Sequence, residues 1–515
     1  MSWFIGGKVD GILKDNTIIE VKNRMYKLFR EVREYEKIQT YAYMFALYSK
    51  KSQLVETYMN GKAPEVNIMD VEFEQIYWDY IVNRILIFVL IPFFLFNCSL
   101  NKDSKLWNEK DKNIEENNDK NIKKVLVEKK KKLKELNSSL KLNLSQNPQN
   151  NKPNYDLNNF GSLKYDGSLN KVANYKFSKF QNFNKFDFEP LFFENNLIFF
   201  DKKGKILKFS NKRKIIWEKN YYSKNEKKLN PILSFSTKDK KLVVADNISR
   251  IFLIDIVSGN LIWSKKNDYP FNSQIKIFED RFFIVDYKNT LKCFYLKDGS
   301  KCWEVQTEDS FTISNSRYSL IIKDNLVVFN NSLGDITAVD LYSGLIEWQL
   351  PTQKSSIINE TYGFNYSKLI SDGKSIFFSN NKNQFFSVDL NTGTLNWVNE
   401  VSSILTPIIV KDYIFTVSND GYLSTLQKKE GNIIRTNDIY KNYDSEKRKK
   451  IFPTGFSIGN NKLYLSNTNG TLIVVNLISG KVLKSEKISR NLISKPHIYK
   501  GNLYIVKNGS IIQYD

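Results

Sequence analysis

Histidine is almost missing from this chain: His497 is the single one in 515 residues. One imidazole cannot build a histidine metal centre, and it leaves little room for a histidine-dependent nucleophilic triad. His497 sits in KPHIY, an ordinary strand start, where it reads as a structural or surface residue. Cysteine is scarce too: Cys98, Cys293 and Cys302 are the three, and no two are adjacent. Outside the first eighty residues no cluster of carboxylates has catalytic or calcium-binding spacing. No apolar run is long enough to cross a bilayer. The longest spans 85–96, twelve residues, against about twenty for a membrane helix.

Tryptophan, by contrast, is regularly placed. Trp217, Trp263, Trp303, Trp348 and Trp397 recur at intervals of 46, 40, 45 and 49 residues. The last four close one phrase: LIDIVSGNLIW (253–263), FYLKDGSKCW (294–303), AVDLYSGLIEW (338–348) and SVDLNTGTLNW (387–397). TLQKKEGNIIR (425–435) and VVNLISGKVLK (474–484) keep the glycine and lose the tryptophan, whereas LKFSNKRKIIW (207–217) loses the glycine. Each phrase reads as a β-hairpin. Gly259, Gly299, Gly344 and Gly393 stand where the loop needs positive φ. Asp255, Asp340, Asp389 and Asn476 can accept hydrogen bonds from the turn backbone. The indole offers a flat face for docking between sheets.

Upstream of each phrase lie two further strands around a second turn, marked by Gly204, Gly334, Gly421, Gly470 and Gly509. Three to four strands every forty-odd residues predict a mainly β chain folded as a β-propeller. Seven whole units follow Pro190, and an eighth stops at Asp515 before its last strand. KVANYKFSKF (171–180) reads as the missing strand, and pairing it with the C-terminus removes exposed sheet edges. The expectation is eight blades over 171–515, with seven the competing count. In this reading the repeat tryptophans and glycines build blades and do no chemistry.

The net charge is +22. Such an excess suits nucleic acid or an anionic membrane. It is also what an AT-rich genome yields, since its codons favour Lys, Asn, Ile, Phe and Tyr. The lysines are scattered and have acidic neighbours, which favours the second reading.

RILIFVLIPFFLFNCSLNKDSK (84–105) has the length of a signal-peptide apolar region, followed by a cysteine and a polar stretch. It resembles a bacterial lipoprotein signal over 82–98. The resemblance implies cleavage before Cys98 and acylation of that residue, and several acyl chains make such an anchor stable. Residues 99–170 then read as a polar tether. Within it, Ile122, Leu126, Leu133, Leu136 and Leu140 have the spacing of a basic amphipathic helix over 122–140, and 144–154 reads as a linker. Cys293 and Cys302 share one hairpin. With the loop centred on Asp298–Gly299, Cys302 faces Tyr295 and Cys293 lies diagonal to it, at or beyond disulfide reach.

The first eighty residues form a different pattern. GGKVDGILKDNTIIEVKNR (6–24) supplies Asp10, Glu20 and Lys22, and QTYAY supplies Gln39 and Tyr43 one helical turn apart. Two carboxylates together bind Mg²⁺, and a nearby lysine stabilises charge on an attacked phosphate. The set resembles the RecB-like branch of the PD-(D/E)xK nucleases, truncated, in a small α/β fragment over 1–81. Mg²⁺ is implied only if that fragment is active. Either 1–81 is a remnant or a misassigned upstream frame, with the lipoprotein starting at Val82, or the chain is a genuine fusion.

Signal, tether and D-x-x-(S/T)-G-x-x-x-W propeller together resemble the BamB family of outer-membrane assembly lipoproteins over 82–515. That resemblance implies a non-enzymatic periplasmic scaffold without cofactor, lipid-anchored at the outer membrane. Its implied partners are a BamA-like subunit, through its POTRA domains, and unfolded outer-membrane proteins. The family's partner-binding loop aligns with SFTISNSRY (310–318), making Phe311 and Ile313 the contact candidates. The same repeat also occurs in quinoprotein dehydrogenases, which bind pyrroloquinoline quinone and Ca²⁺. Those enzymes remain the alternative, although the vicinal cysteines and the calcium set are missing.

Overall fold

The strand phrases of the sequence fold into eight consecutive antiparallel sheets. The computed structural model describes residues 10–24, 28, 30–60, 63–75, 77–79, 134–144, 157, 159, 162–308, 317–352 and 365–515. Cys98, Phe311 and Ile313 lie outside these residues, as do the signal-like stretch 82–98 and the tether up to 133. The chain divides into two compact units, Met1–Val127 and Glu128–Asp515.

In the second unit, blades 1 to 7 span 191–219, 233–266, 276–306, 320–350, 370–399, 408–438 and 453–487, each a meander of four strands. Blade 8 takes three strands from 497–514 and its fourth from Lys171–Lys176, which pairs antiparallel with Ser510–Tyr514. The Tyr175 hydroxyl donates to Gln513 Oε1 at 2.8 Å across this seam. On its other flank blade 8 stacks Tyr499 on Phe192 of blade 1, with ring centroids 4.7 Å apart. The first and last strands of the propeller are thereby closed into a ring.

The second and third strands of a blade are buried as continuous runs, such as Leu242–Asp246 and Ile251–Ile254. Both faces of those strands meet neighbouring sheets, so apolar residues run on instead of alternating. Each such valine, leucine or isoleucine contributes about 2 kcal/mol by burial. The outer strands, such as Leu261–Lys266, are mostly exposed.

Part of the expected tether belongs to the propeller. Residues 134–144 are not helical: Leu136 and Thr436 exchange backbone hydrogen bonds of 3.1 and 2.9 Å on the outer strand of blade 6. Leu142 and Leu144 are buried on the same hydrophobic cluster as blades 6 and 7. Spacing of three to four residues suggested a helix, yet the backbone of this segment finds its partners 300 residues away. Ser162–Leu163 pairs in parallel with Ile458–Gly459, the innermost strand of blade 7.

The hairpin of Cys293 and Cys302 also differs from expectation. Cys293 faces Trp303 and Phe294 faces Lys301, so Cys302 is the extra residue of a β-bulge and does not face Tyr295. Both cysteines are free thiols. The same bulge recurs between the third and fourth strands of blades 2 to 7. Even alternation along the hairpin therefore misplaces any residue past the turn.

The first unit holds a four-stranded sheet of β1 (Gly11–Ile12), β2 (Ile18–Arg24), β3 (Lys51–Asn60) and β4 (Ala63–Glu72). β2 and β3 are parallel, joined by α1 (Glu34–Ala46) as a βαβ crossover. Glu36 at the third helical position accepts from the Arg33 amide at 3.3 Å and closes the first turn. Tyr41 and Met44 pack the helix onto the sheet with Ile18, Val71 and Trp78.

Candidate functional site

Four arrangements bring chemistry-bearing side chains together, three in the propeller and one in the first unit. The first couples neighbouring blades. The bulge turns each repeat tryptophan towards the next blade. Trp217 Nε1 donates to Ile256 O at 3.2 Å, and Trp263, Trp303, Trp348 and Trp397 donate to Leu296 O, Leu341 O, Leu390 O and Lys428 O at 3.1 Å. Each indole also lies against the turn glycine of the blade it reaches: Gly259, Gly299, Gly344, Gly393 and Gly431 in order. A Cβ on any of these glycines would come within 2.4 to 2.8 Å of the ring. Glycine is thus required twice at each turn, for a left-handed backbone and for the indole. The sequence showed the first reason and not the second.

Arg435 stands where blade 6 should carry its tryptophan. It faces Thr425 as Trp397 faces Ser387. Its guanidinium is fully buried and donates to Leu477 O at 2.6 Å and to Ile478 O at 2.7 Å. It also donates to Leu140 O at 2.9 Å, and Asn437 Nδ2 donates to Ser138 O at 3.1 Å. Burial pulls the guanidinium down to about 10, so it stays charged at neutral pH. One side chain therefore couples blade 6 to blade 7 and fixes the 134–144 strap. Its role had no signal in the sequence beyond an arginine ending a tryptophan phrase.

The third arrangement crosses the middle of the ring. Lys368, before the inner strand of blade 5, pairs with Asp187 at 2.7 Å and with Glu189, both before the inner strand of blade 1. Blades 1 and 5 are opposite in a ring of eight, so this pairing spans the central channel. Burial alone would raise Asp187, but Lys368 and Arg317 more than offset it and hold the carboxyl low. Arg317 and Lys495 border the same cavity, of about 180 Å³, with Thr406 and Thr454. Burial pulls Lys495 down, and Lys368 beside it adds to the effect. His497, 3% exposed, is the neighbour of this cluster, and burial pulls its imidazole down to about 4. Further round, Asn159 Nδ2 lies 2.9 Å from Leu369 O and 3.1 Å from Leu320 O, and Lys276 donates to Asn159 Oδ1 at 2.6 Å. Asn159 therefore touches blades 3, 4 and 5 at their inner strands.

In the first unit, the alternation of β2 places Glu20 and Lys22 on one face, and α1 brings Gln39 and Tyr43 over it. Lys22 Nζ donates to Glu20 Oε1 at 2.8 Å and to Gln39 Oε1 at 2.9 Å. Gln39 Nε2 donates to Glu20 Oε1 at 2.8 Å and to the Tyr43 hydroxyl at 3.0 Å. Asp10 accepts the Val21 amide through Oδ2 at 2.7 Å. All five residues singled out in the sequence thus lie around one point of β2. Glu20 is 4% exposed, and its Oε2 has no hydrogen-bond partner. Among the described residues no group of three or more His, Cys, Asp or Glu side chains has metal-binding geometry.

The closed ring and its tryptophan–glycine coupling define a β-propeller of PQQ-like repeats. The family profile described as outer membrane protein assembly factor BamB matches residues 202–437. Over that stretch the propeller is similar to the BamB type. A Shewanella oneidensis relative of that name is 29% identical over 31% of this chain, which spans 36% of that protein's length. An uncharacterized Rickettsia conorii protein is 20% identical over 70% of this chain and 85% of its own. The crystal structure of BamB from Moraxella catarrhalis superposes with a TM-score of 0.56 at 14% identity, covering 67% of this chain and 99% of that one. A europium-containing methanol dehydrogenase shares the fold at a TM-score of 0.52 and 10% identity, over 70% of this chain and 91% of its own.

Proposed function

We propose that this chain is a non-enzymatic scaffold lipoprotein on the periplasmic face of the outer membrane, part of the machinery that assembles β-barrel proteins there. Acylated Cys98 holds it to the bilayer. The ring presents rim loops and exposed outer strands to a BamA-like subunit, through that subunit's POTRA domains, and to unfolded outer-membrane proteins, which can add strands to sheet edges. Phe311 and Ile313 are the proposed apolar contacts. The observation that carries this reading is the repeated blade coupling across 202–437, the stretch the BamB profile matches. Its repeat tryptophans and turn glycines are committed to holding one blade to the next. The test is lipid labelling and co-purification of the BamA-like subunit in the native cell. Both should be lost in Cys98→Ala, and the partner alone on shortening the loop around Phe311 and Ile313. Retention of both in both variants contradicts the reading.

A second reading applies to the first unit alone. Asp10 and Glu20 fit a Mg²⁺ ion, which is commonly held by one or two carboxylates and water; the buried, unpartnered Glu20 Oε2 is the observation that favours it. Bound there, the ion would polarise a phosphodiester and its attacking water. Gln39 and Lys22 orient the Glu20 carboxylate, and Lys22 supplies positive charge beside it. A Mg²⁺-dependent cleavage assay on the full chain, with Glu20→Gln as control, decides the matter. No cleavage, or equal cleavage by the variant, removes this reading.

A further inference from the structure

The cluster that spans the ring has more positive than negative charge. Lys368 is satisfied by Asp187 and Glu189. Arg317 and Lys495 face the same two carboxylates from further away, and neither side chain makes a hydrogen bond or ion pair with a described residue. Among the described residues three cations thus surround two anions, and His497 is neutral at pH 7 because its imidazole titrates near 4. A charge taken out of bulk water without a partner is costly. The shortfall is one negative charge, and it falls on a cavity of about 180 Å³ that both cations border. A site of that size admits several waters, hence also a small hydrated anion. Thr406 and Thr454 border the same space, and the Thr454 hydroxyl donates to Ile493 O at 2.7 Å.

We propose that this axial cavity binds a small oxyanion, of the phosphate or carboxylate class, between Arg317 and Lys495. Arg317 supplies a planar fork of donors suited to two oxygens, and Lys495 a point charge on the same cavity. The bound anion completes the charge balance of a contact that ties blades 1, 4, 5 and 8 across the ring. Occupancy therefore stabilises the propeller by linkage. The inference rests on the cavity and its charges, and holds whether or not the propeller is an assembly scaffold.

The test uses the full chain and two probes, inorganic phosphate and acetate, titrated at constant ionic strength by calorimetry and followed by thermal unfolding. One-site binding of at least one probe and a saturable rise in Tm are expected. Arg317→Gln and Lys495→Gln should each weaken binding about tenfold or more. Circular dichroism checks that the variants fold, and Lys449→Gln, at an exposed pair with Glu446 elsewhere, should bind as the parent does. Should a glutamine variant not fold, Lys495→Arg keeps the charge and should retain binding. Phosphate stabilises proteins in general by exclusion from their surface, so a Tm rise without one-site binding, or one unchanged in both glutamine variants, overturns the proposal.

Discussion

Gly393 lies on the indole of Trp348, so close that a Cβ on the glycine would sit 2.5 Å from two ring carbons. The same indole donates to Leu390 O at 3.1 Å, on the turn that Gly393 closes. A blade thus reads the position of its neighbour through one packing contact and one hydrogen bond, and the sequence repeats that pair around the ring. Such coupling explains why tryptophan and glycine recur together, with the tryptophan of one phrase serving the glycine of the next.

Gly393→Ala should cost about 2–4 kcal/mol, from the left-handed backbone and from overpacking against the indole. Gly501 is the control: it has φ of +70° as Gly393 does, but nothing within 4 Å of an added Cβ. Gly501→Ala should cost only the backbone share, about 1–2 kcal/mol. Urea unfolding of both variants checks the difference. Equal losses would mean that the indole contact contributes nothing.

Arg435→Ala should be among the most damaging single changes, costing about 3 kcal/mol or more. It leaves the Leu477 carbonyl without its donor and takes from Ile478 O one of its two, the other being the Leu142 amide at 3.0 Å. Arg435→Trp restores the residue type of the repeat and should recover most of the propeller's stability. It cannot replace the bond to Leu140 O, so the 134–144 strap should become protease-sensitive in both variants. Limited proteolysis followed by mass analysis of the cut sites measures this directly.

The repeat was legible because its signals are local: a turn glycine, in most units an Asx residue four positions before it, and a tryptophan after it. Ring closure by Lys171–Lys176 was legible from a strand without a partner at one end and a blade lacking one at the other. The strap was not. Leu136, Leu140 and the residues between them have helical spacing, and only contacts with Thr436 and Ile478 make them extended. In the sequence Arg435 is simply a missing tryptophan, because nothing nearby shows that a guanidinium can reach the equivalent carbonyl. The axial cluster joins Asp187, Arg317, Lys368 and Lys495, which are unremarkable charges until the ring brings opposite blades together. In the first unit Asp10, Glu20, Lys22, Gln39 and Tyr43 were legible as a set, since each lies at a strand or helix spacing that fixes its face.

Two buried groups give opposite pH dependences. Burial pulls His497 from 6.5 to about 4. The unfolded chain therefore takes up this proton first, and stability falls as pH drops from 6.5 towards 4, by roughly 3 kcal/mol. Burial pushes Asp246 from 3.8 up to about 6, against the hydrogen bond it accepts from the Tyr222 hydroxyl at 2.5 Å. Here the folded chain holds the proton longer, so this term is most favourable below pH 3.8 and declines, by roughly 3 kcal/mol, as pH rises through 6. His497→Gln should make stability fall less on acidification. Asp246→Asn should make it fall more. Urea midpoints between pH 4 and 7 carry the sign of each effect.

The central claim is that the closed ring works by holding a barrel-assembly partner. Calorimetric titration of the purified propeller with the POTRA domains of the BamA-like subunit from the same cell tests it most directly. The account predicts saturable one-to-one binding, weakened by removal of the loop carrying Phe311 and Ile313. No binding at about 100 µM, well above the affinity of a specific interface, would contradict it.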